Sequence, residues 1–308
     1  MPELPEVTTT VQGLNKTVVG YTIVDIWTDL AVKNPIPQFA HTLKSSVFFE
    51  QFKKEIIGTK IKLAERRAKN ILIHTDTKNT VLIHMKMTGH MMVGNYIYNK
   101  KENKWTVSDT EKNEALRDPF NRFIHVVFTL QKGKYIKQLV LCDSRKFAKV
   151  TLFHTNELKA HTQHIGPEPL ESTFTQKDFN HVLSKKPTGK IKTVLMDQTI
   201  VAGIGNIYSD EMLWGAGIHP ERLVKTLTEK EYILLYKHMK DVLQKGIDFG
   251  GDSTSDYRNI YGERGAFQGK HSVYRKTHTP CIKKGCSGVI QRKMICGRSA
   301  HFCNTHQI

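Results

Sequence analysis

NILIHTDTKNTVLIHM, residues 70–85, decides the fold class of the N-terminal half of the chain. Two apolar runs rich in β-branched residues flank the polar residues DTKN, which is the pattern of a β-hairpin. FIHVVFTLQKGKYIKQLVLC, residues 123–142, repeats this pattern, and residues 5–18 have helical spacing. We therefore predict an α+β protein whose N-terminal domain, residues 1–155, is a β-sandwich with flanking helices.

The pattern changes after IGPEPL (165–170), where glycine and two prolines interrupt helix and strand alike. Apolar residues then recur with helical period, and they predict a helical domain over residues 156–249. Its central stripe is Ile204, Tyr208 and Met212, on a helix that begins near Asn206. Residues 250–270 are glycine-rich and polar, so we expect a long functional loop, followed by a small basic module at 271–308.

The charge of the chain points to a polyanionic partner. It has 46 Lys and Arg against 29 Asp and Glu, a net charge of +17, and residues 271–308 hold seven basic residues and no acidic one. A basic surface kept for solubility is the alternative, but the uneven excess favours nucleic acid. No apolar run of 18 residues predicts a membrane span, and no signal-peptide pattern is found, so we expect a cytoplasmic protein.

Four of the five cysteines lie in the last 28 residues. Cys281 and Cys286, then Cys303 and His306, form two pairs that a β-like stretch of 16 residues separates. Zinc prefers four Cys and His ligands in a tetrahedron, and a module this short needs such a stabilising centre. We predict one structural Zn²⁺ at these residues. Reduced cysteines without a metal are the alternative. Cys296 has no partner at short spacing, and Cys142, in the apolar run QLVLC, is expected to be buried.

Four motifs, in this order along the chain, resemble those of one family. They are PELPEV (2–7), IGPEPL (165–170), MDQTIVAGIGNIYSDEMLW (196–214) and GRSAHFC (297–303). These segments are similar to the N-terminal signature, helix–two-turn–helix motif and finger hairpin of the formamidopyrimidine-DNA glycosylases and their endonuclease VIII relatives. The resemblance covers almost the whole chain. It implies a base-excision-repair glycosylase with lyase activity, acting as a monomer on double-stranded DNA with an oxidised base.

The resemblance implies that Pro2, once Met1 is removed, is the nucleophile. An amino terminus titrates near pH 8, so an unprotonated fraction exists at neutral pH, and an amine supports covalent catalysis. Glu3 would be the general acid or base beside it, with Glu6 in support. Taken alone, a Met-Pro start is common, and both glutamates would also suit a helix N-terminus.

The family pattern assigns Lys69, Asn206 and Arg298 to the phosphates around the lesion. Asn206 opens a helix, where free N–H groups favour phosphate, and the Arg298 guanidinium can bind phosphate through two donors. Lys69, in ERRAKNILIH (65–74), would otherwise be an ordinary solvated lysine.

A base that leaves the duplex leaves a gap behind it. HMKMTG (84–89) resembles the turn that places a methionine, here Met87, in that gap, and DSRKF (143–147) resembles the loop that supplies two further residues. Arg145 would face the orphaned base and Phe147 would be the wedge. Packing into the core is the alternative for Met87 and Phe147.

This sequence departs from the family pattern at several positions. Lys86 and Ala148 stand where glycine is usual, Ser144 stands where proline is usual, and Thr8 replaces a common glutamate. The first cysteine pair has a wider spacing, and His306 replaces the last cysteine. These departures concern loop details and metal geometry, not Pro2 or Glu3.

Arg145, Phe147 and the segment GGDSTSDYRNIYGERGAFQ (250–268) resemble the branch that removes oxidised purines, although Ser255 stands where arginine is frequent. In that branch the matching segment is a long loop that caps the lesion, so the resemblance implies a lesion-capping loop at residues 250–270. We therefore expect 8-oxoguanine and formamidopyrimidines as substrates. The alternatives are an endonuclease VIII-like enzyme for oxidised pyrimidines, a damage-binding protein without catalysis, and an RNA-binding protein.

Overall fold

A computed structural model describes all 308 residues. The chain forms two compact units, Met1–Thr162 with Gly250–Ala266, and Gln163–Phe249 with Phe267–Ile308. The segment 250–266 thus belongs with the N-terminal unit. None of the helices is both long and apolar enough to cross a membrane.

The N-terminal unit contains three helices and ten strands. They are α1 (Leu4–Thr17), β1 (Thr22–Thr28), α2 (Ser46–Ile56), β2 (Ile61–Arg67), β3 (Asn70–Thr75), β4 (Asn79–His84), β5 (His90–Gly94), β6 (Tyr96–Asn99), β7 (Lys104–Val107), β8 (Ile124–Lys132), β9 (Tyr135–Cys142), β10 (Lys149–His154) and α3 (Leu158–Thr162). The two hairpins expected from the sequence are β3–β4 and β8–β9, and the expected first helix is α1. Helix α2 was not anticipated, although Ser45 caps it by accepting a hydrogen bond from the Phe48 N–H.

Two antiparallel four-stranded sheets form the sandwich, in the orders β1-β8-β9-β5 and β10-β4-β3-β2. Alternate residues of β8, such as Val126 and Phe128, face a core that also receives Ile71 and Ile73 of β3. Because side chains alternate across a strand, one register presents a continuous apolar face to the opposite sheet. Helices α1 and α2 add apolar side chains to this core.

The outer face of the first sheet is also covered. Trp105 of β7 and Leu116, which follows this strand, pack against that face. They contact Val127, Val140 and Cys142 of β8 and β9. Burial on both faces explains why β8 and β9 are apolar over consecutive residues instead of alternating. Cys142 is fully buried, as expected, and burial raises the pKa of its thiol.

The second unit is helical and ends in a β-hairpin. Its elements are α4 (Gln176–Ser184), α5 (Ile191–Met196), α6 (Asn206–Ala216), α7 (Glu229–Asp248), β11 (Ile290–Ile295) and β12 (Arg298–Cys303). The expected stripe of Ile204, Tyr208 and Met212 is fully buried, although Ile204 lies two residues before α6 begins. Helix α6 ends at Gly217, whose φ of 74° is the left-handed conformation that glycine adopts readily. Cys296 and Gly297, with φ of 46° and 76°, form the turn between β11 and β12.

Candidate active site and metal site

Glu3 and Glu6 organise the start of the N-terminal unit. Pro2 is buried and Glu3 precedes α1 as its N-cap, and the Glu3 backbone N–H donates to Glu6 Oε2 at 2.7 Å. Both carboxylates are nearly inaccessible to solvent. In this structure Met1 is joined to the Pro2 nitrogen, so that nitrogen is an amide. A nucleophilic amine at this position requires removal of Met1.

The other carboxylate oxygen of Glu6 reaches the segment 250–266. Glu6 Oε1 accepts the backbone N–H of Asp252 at 2.7 Å, and the Tyr257 hydroxyl donates to the Glu6 carbonyl oxygen at 3.1 Å. Ile260 packs so closely on α1 that a Cβ at Gly13 would lie 2.3 Å from its side chain. One buried carboxylate therefore joins the backbone beside Pro2 to a segment more than 240 residues away in the chain.

Lys69 lies in the turn between β2 and β3. It is 6% exposed, so it is not the freely solvated lysine that was the alternative. Burial is the main cause that lowers the pKa of His84 to about 3, and the positive charges of Lys86 and Lys69 lower it further. The His84 ring is therefore neutral near pH 7, and its Nδ1 atom accepts the Lys86 N–H at 3.0 Å.

Asp143 joins the two turns that carry Met87 and Arg145. Its Oδ1 atom accepts the Thr88 hydroxyl, and its Oδ2 atom accepts the Ala148 N–H at 2.7 Å. The side chain is buried, so each of these bonds also satisfies an acceptor that water does not reach. Gly89 completes the first turn, where a Cβ would lie 2.3 Å from the Met85 carbonyl oxygen.

The side chains of these two turns project from the protein. Met87 is 37% exposed and Phe147 is 44% exposed. The Arg145 guanidinium stacks over the Phe147 ring at 4.5 Å from its centroid. The core-packing alternative is therefore wrong for Met87 and Phe147. Exposed apolar side chains beside basic groups have the chemistry of a wedge that enters a duplex.

In the helical unit, Asn206 is the first residue of α6, and its buried Oδ1 atom makes no hydrogen bond within the protein. A buried network of hydrogen bonds reaches the Asn206 backbone. The Lys192 Nζ atom donates to Asp210 Oδ1 at 2.5 Å and to the Asn206 carbonyl oxygen at 3.3 Å. The second oxygen of Asp210 accepts the His301 backbone N–H at 2.9 Å. Asp210 therefore connects the start of α6 with strand β12.

Arg298 begins β12 and is exposed at the turn of the hairpin. It borders an open depression of about 320 Å³ together with Lys192 and Met196. The predicted site residues are divided between the two units. The helical unit contains Asn206 and Arg298, and the N-terminal unit contains the others, Pro2, Glu3, Lys69, Met87, Arg145 and Phe147.

Cys281, Cys286, Cys303 and His306 form a cluster that could hold a metal ion, with all ligand atoms within 4.8 Å of one another. Cys286 Sγ lies 3.7 Å from Cys303 Sγ, and Cys281 Sγ lies 3.4 Å from His306 Nδ1. Ligands about 2.0–2.3 Å from a tetrahedral metal ion would be separated by about 3.4–3.8 Å. The arrangement thus fits a metal of this kind. Cys296 is exposed and outside the cluster, as expected.

Two features prepare the cluster for a metal. Burial opposes ionisation of the Cys303 thiol, but hydrogen bonds from the Thr305 and His306 backbone and the His306 side chain outweigh it and lower the pKa to about 6. Metal ligands of this type bind as thiolates. The far nitrogen of His306, Nε2, lies 3.1 Å from the Trp214 carbonyl oxygen, the kind of partner that orients a metal-binding imidazole.

Comparison with known proteins decides the family. A family model described as the formamidopyrimidine-DNA glycosylase N-terminal domain matches residues 1–150, and the H2TH domain model of the same glycosylases matches residues 165–258. The formamidopyrimidine-DNA glycosylase of Herpetosiphon aurantiacus is 35% identical over 98% of this chain and 98% of its own. The chain belongs to the formamidopyrimidine-DNA glycosylase family. The Bacillus subtilis relative is 34% identical, again over 98% of both chains.

Solved structures agree with this membership of the formamidopyrimidine-DNA glycosylases. A complex of the Lactococcus lactis Fpg with DNA containing an abasic site has a TM-score of 0.80 and 32% identity, and it covers 99% of both chains. A complex of that protein with N7-benzyl-Fapy-dG DNA has a TM-score of 0.79 and 33% identity. The α+β fold and the base-excision-repair glycosylase predicted from the sequence are therefore confirmed, and the RNA-binding alternative is not supported.

Three features of this glycosylase were not predicted from its sequence. They are the Glu6 bridge to Asp252, the Asp143 link between the two turns, and a buried Arg258 in the segment 250–266. Glu6 and Asp143 both lie in recognised motifs, and this position indicated that each residue is important without identifying its partner. The partners are distant in sequence, and no local spacing identifies them.

Proposed function

We propose that this glycosylase excises oxidised purines, chiefly 8-oxoguanine and formamidopyrimidines, from duplex DNA and then cleaves the strand as a lyase. The observation that supports it most is the Glu6 carboxylate, which binds the backbone N–H of both Glu3 and Asp252. It holds the Pro2 segment and the segment 250–266 together within one compact unit. A lesion held by the second segment would thus meet a nucleophile carried by the first.

Pro2 supplies that nucleophile after removal of Met1. Its nitrogen forms a bond to C1′ of the sugar while the bond from C1′ to the base breaks, and the departing base takes up a proton. Opening of the sugar ring gives a cationic iminium, which acidifies the C2′ proton. Loss of this proton expels the 3′ phosphate, and a second elimination expels the 5′ phosphate. Water then releases the sugar fragment from Pro2.

Glu3 moves protons beside the reacting sugar, and its burial with Pro2 suits this role. Glu6 acts through the backbone it holds, so it is a positioning residue. Lys69, Asn206 and Arg298 bind phosphates around the lesion. Asn206 is the first residue of α6, and free N–H groups at a helix N-terminus attract an anion.

Met87, Arg145 and Phe147 fill the gap left by the extruded base. Met87 and Phe147 are exposed on two turns that a hydrogen bond from Thr88 to Asp143 joins, and this arrangement suits insertion into a duplex. The five-donor guanidinium of Arg145 can recognise the base opposite the lesion, which we propose to be cytosine. This set favours a purine lesion. An enzyme for oxidised pyrimidines is the second candidate, because one structural neighbour, the Lactococcus lactis Fpg, has a structure solved with DNA containing an oxidised pyrimidine.

We propose that the metal is one structural Zn²⁺ held by Cys281, Cys286, Cys303 and His306. It would stabilise the short C-terminal module and so fix Arg298 on its hairpin. Elemental analysis should find one zinc per chain. Removal of the zinc by a chelator should unfold this module and abolish DNA binding. A chain that contains no zinc and still binds damaged DNA with full affinity would contradict the assignment.

We also propose that the chain acts as a monomer on chromosomal DNA in the cytoplasm. Duplexes with 8-oxoguanine opposite cytosine, with an oxidised pyrimidine, and with no lesion would test the substrate under single-turnover conditions. We expect excision of 8-oxoguanine at least tenfold faster than of the pyrimidine, with products of both eliminations on a denaturing gel. Faster pyrimidine excision would favour the second candidate. Tight binding without excision would identify a damage-binding protein.

A further inference from the structure

One exposed tip of the segment 250–266 is centred on Ser255. Ser255 is exposed between the half-buried Thr254 and Asp256, whereas Ser253 and Tyr257 on either side are buried. The backbone beyond the tip is attached to the sandwich, because the Ile260 carbonyl oxygen accepts the Val93 N–H at 2.9 Å. The tip therefore has two fixed ends.

Arg258 gives this tip its shape. The residue is 2% exposed, and its three guanidinium nitrogens make five hydrogen bonds. Two nitrogens bind the Asp118 carboxylate at 3.0–3.1 Å, and the third donates to the carbonyl oxygens of Ser255 at 3.1 Å and Tyr257 at 2.9 Å. The planar guanidinium also lies over the Phe120 ring. A lysine offers no such fork of donors, so these contacts require arginine.

Asp256 joins the same tip to the turn that carries Arg145. Its Oδ2 atom accepts the Ser144 hydroxyl at 2.7 Å. Ser144 lies between Asp143, which fixes this turn, and Arg145, whose N–H is 3.3 Å from Asp143 Oδ1. Ser144 stands where the family usually has proline, which has no hydroxyl to donate. The departure from the family pattern thus creates a contact between two recognition segments.

We propose that Ser144, Asp256 and Arg258 are positioning residues that couple recognition of the base opposite the lesion to recognition of the lesion itself. This inference rests on the proposed function, in which Arg145 contacts the opposite base. When cytosine is opposite, the Arg145 turn keeps its position and the tip stays formed. When adenine is opposite, displacement of Arg145 pulls on Ser144 and, through Asp256, on the tip held by Arg258.

The test uses the surface pair, since replacement of the buried Arg258 endangers folding. Ser144→Ala and Asp256→Ala remove the hydrogen bond, whereas Asp256→Asn keeps an acceptor oxygen. Excision of 8-oxoguanine is measured opposite cytosine and opposite adenine under single-turnover conditions. We expect each alanine variant to reduce the cytosine preference about tenfold, the double variant to reduce it no further, and Asp256→Asn to restore most of it.

The matched control removes an exposed hydrogen bond of similar length elsewhere in the same unit. Gln51 Nε2 donates to Glu55 Oε1 at 2.8 Å on α2, and Gln51→Ala should leave the opposite-base preference unchanged. A wild-type preference that survives in Ser144→Ala, or additive losses in the double variant, would overturn the inference. A wild-type chain that excises 8-oxoguanine equally from both pairs would also overturn it. Absence of any excision by the wild type would instead contradict the proposed function.

Discussion

Glu3 is a residue whose chemistry can be tested with a variant of nearly the same shape. Its backbone N–H makes the bond to Glu6, so replacement of the side chain leaves that bond intact. Glu3→Gln keeps the shape and removes the proton-transfer group. We expect base excision to fall by about 10²–10⁴-fold, the usual contribution of a general acid or base. Binding to the lesion duplex should change less than threefold. A variant that excises at the wild-type rate would remove Glu3 from the mechanism.

His84 predicts a particular dependence of stability on pH. Its pKa is about 3 in the folded protein against an ordinary value of 6.5, chiefly because of burial. Between these values the unfolded chain binds a proton that the folded chain does not, so stability is fully present above about pH 6.5 and falls as the pH decreases towards 3. The slope from this group is at most about 1.4 kcal/mol per pH unit.

Urea unfolding of wild type and His84→Gln at pH 7 and pH 5 measures this contribution. Between pH 7 and pH 5, the free energy of unfolding of the wild type should fall by up to about 2 kcal/mol more than that of the variant. Equal losses in both proteins would show that His84 titrates normally in the folded state.

At the scale of elements, the β11–β12 hairpin presents Arg298 at its turn. Arg298→Ala should weaken binding to the lesion duplex and reduce the slope of log affinity against log salt by about 1, the value expected for one phosphate contact. Arg292→Ala is the matched control, because Arg292 is an exposed arginine on the adjacent strand. Equal effects of both substitutions would mean that total charge, rather than the position of Arg298, determines the affinity.

Helix α6 and strand β12 are joined by a buried charge network. Lys192 and Asp210 are each 1% exposed and form an ion pair at 2.5 Å. Asp210→Ala leaves the Lys192 ammonium group buried without its counter-ion, and we expect a loss of about 3–5 kcal/mol in the stability of the helical unit. Chemical unfolding followed by tryptophan fluorescence measures it. The double variant Lys192→Met/Asp210→Asn removes both charges and keeps an oxygen to accept the His301 N–H, so it should recover most of the loss; no recovery would point to a packing defect instead.

At the scale of the whole molecule, short-range patterns predicted α1, two hairpins, the helices of the second unit and its C-terminal hairpin, but not α2 or strands β1, β2, β5 and β10. The alternating runs of β3–β4 and β8–β9, the stripe on α6 and the cysteine pairs each depend on residues that are close in sequence. These patterns follow from backbone geometry and metal coordination, which are local.

Contacts between distant segments could not be predicted in this way. Glu6 and Asp252 are separated by 246 positions, and Asp118 and Arg258 by 140. The β6–β7 hairpin was also missed, because its short strands depend on Trp105 packing over the first sheet rather than on a periodic pattern of their own. The residues of the candidate site came from recognised motifs, whereas the bonds that hold the motifs together came only from the fold.

The Pro2 amine, as the nucleophile, is the centre of the proposed mechanism. The direct measurement is to incubate the mature chain with a duplex containing 8-oxoguanine opposite cytosine, reduce with borohydride, and map the covalent adduct by mass spectrometry. We predict a single adduct on the peptide that begins at Pro2, and none on chains that retain Met1, although these should still bind the duplex. An adduct on Lys69 or on any other lysine, or excision of the base without an adduct, would contradict the account.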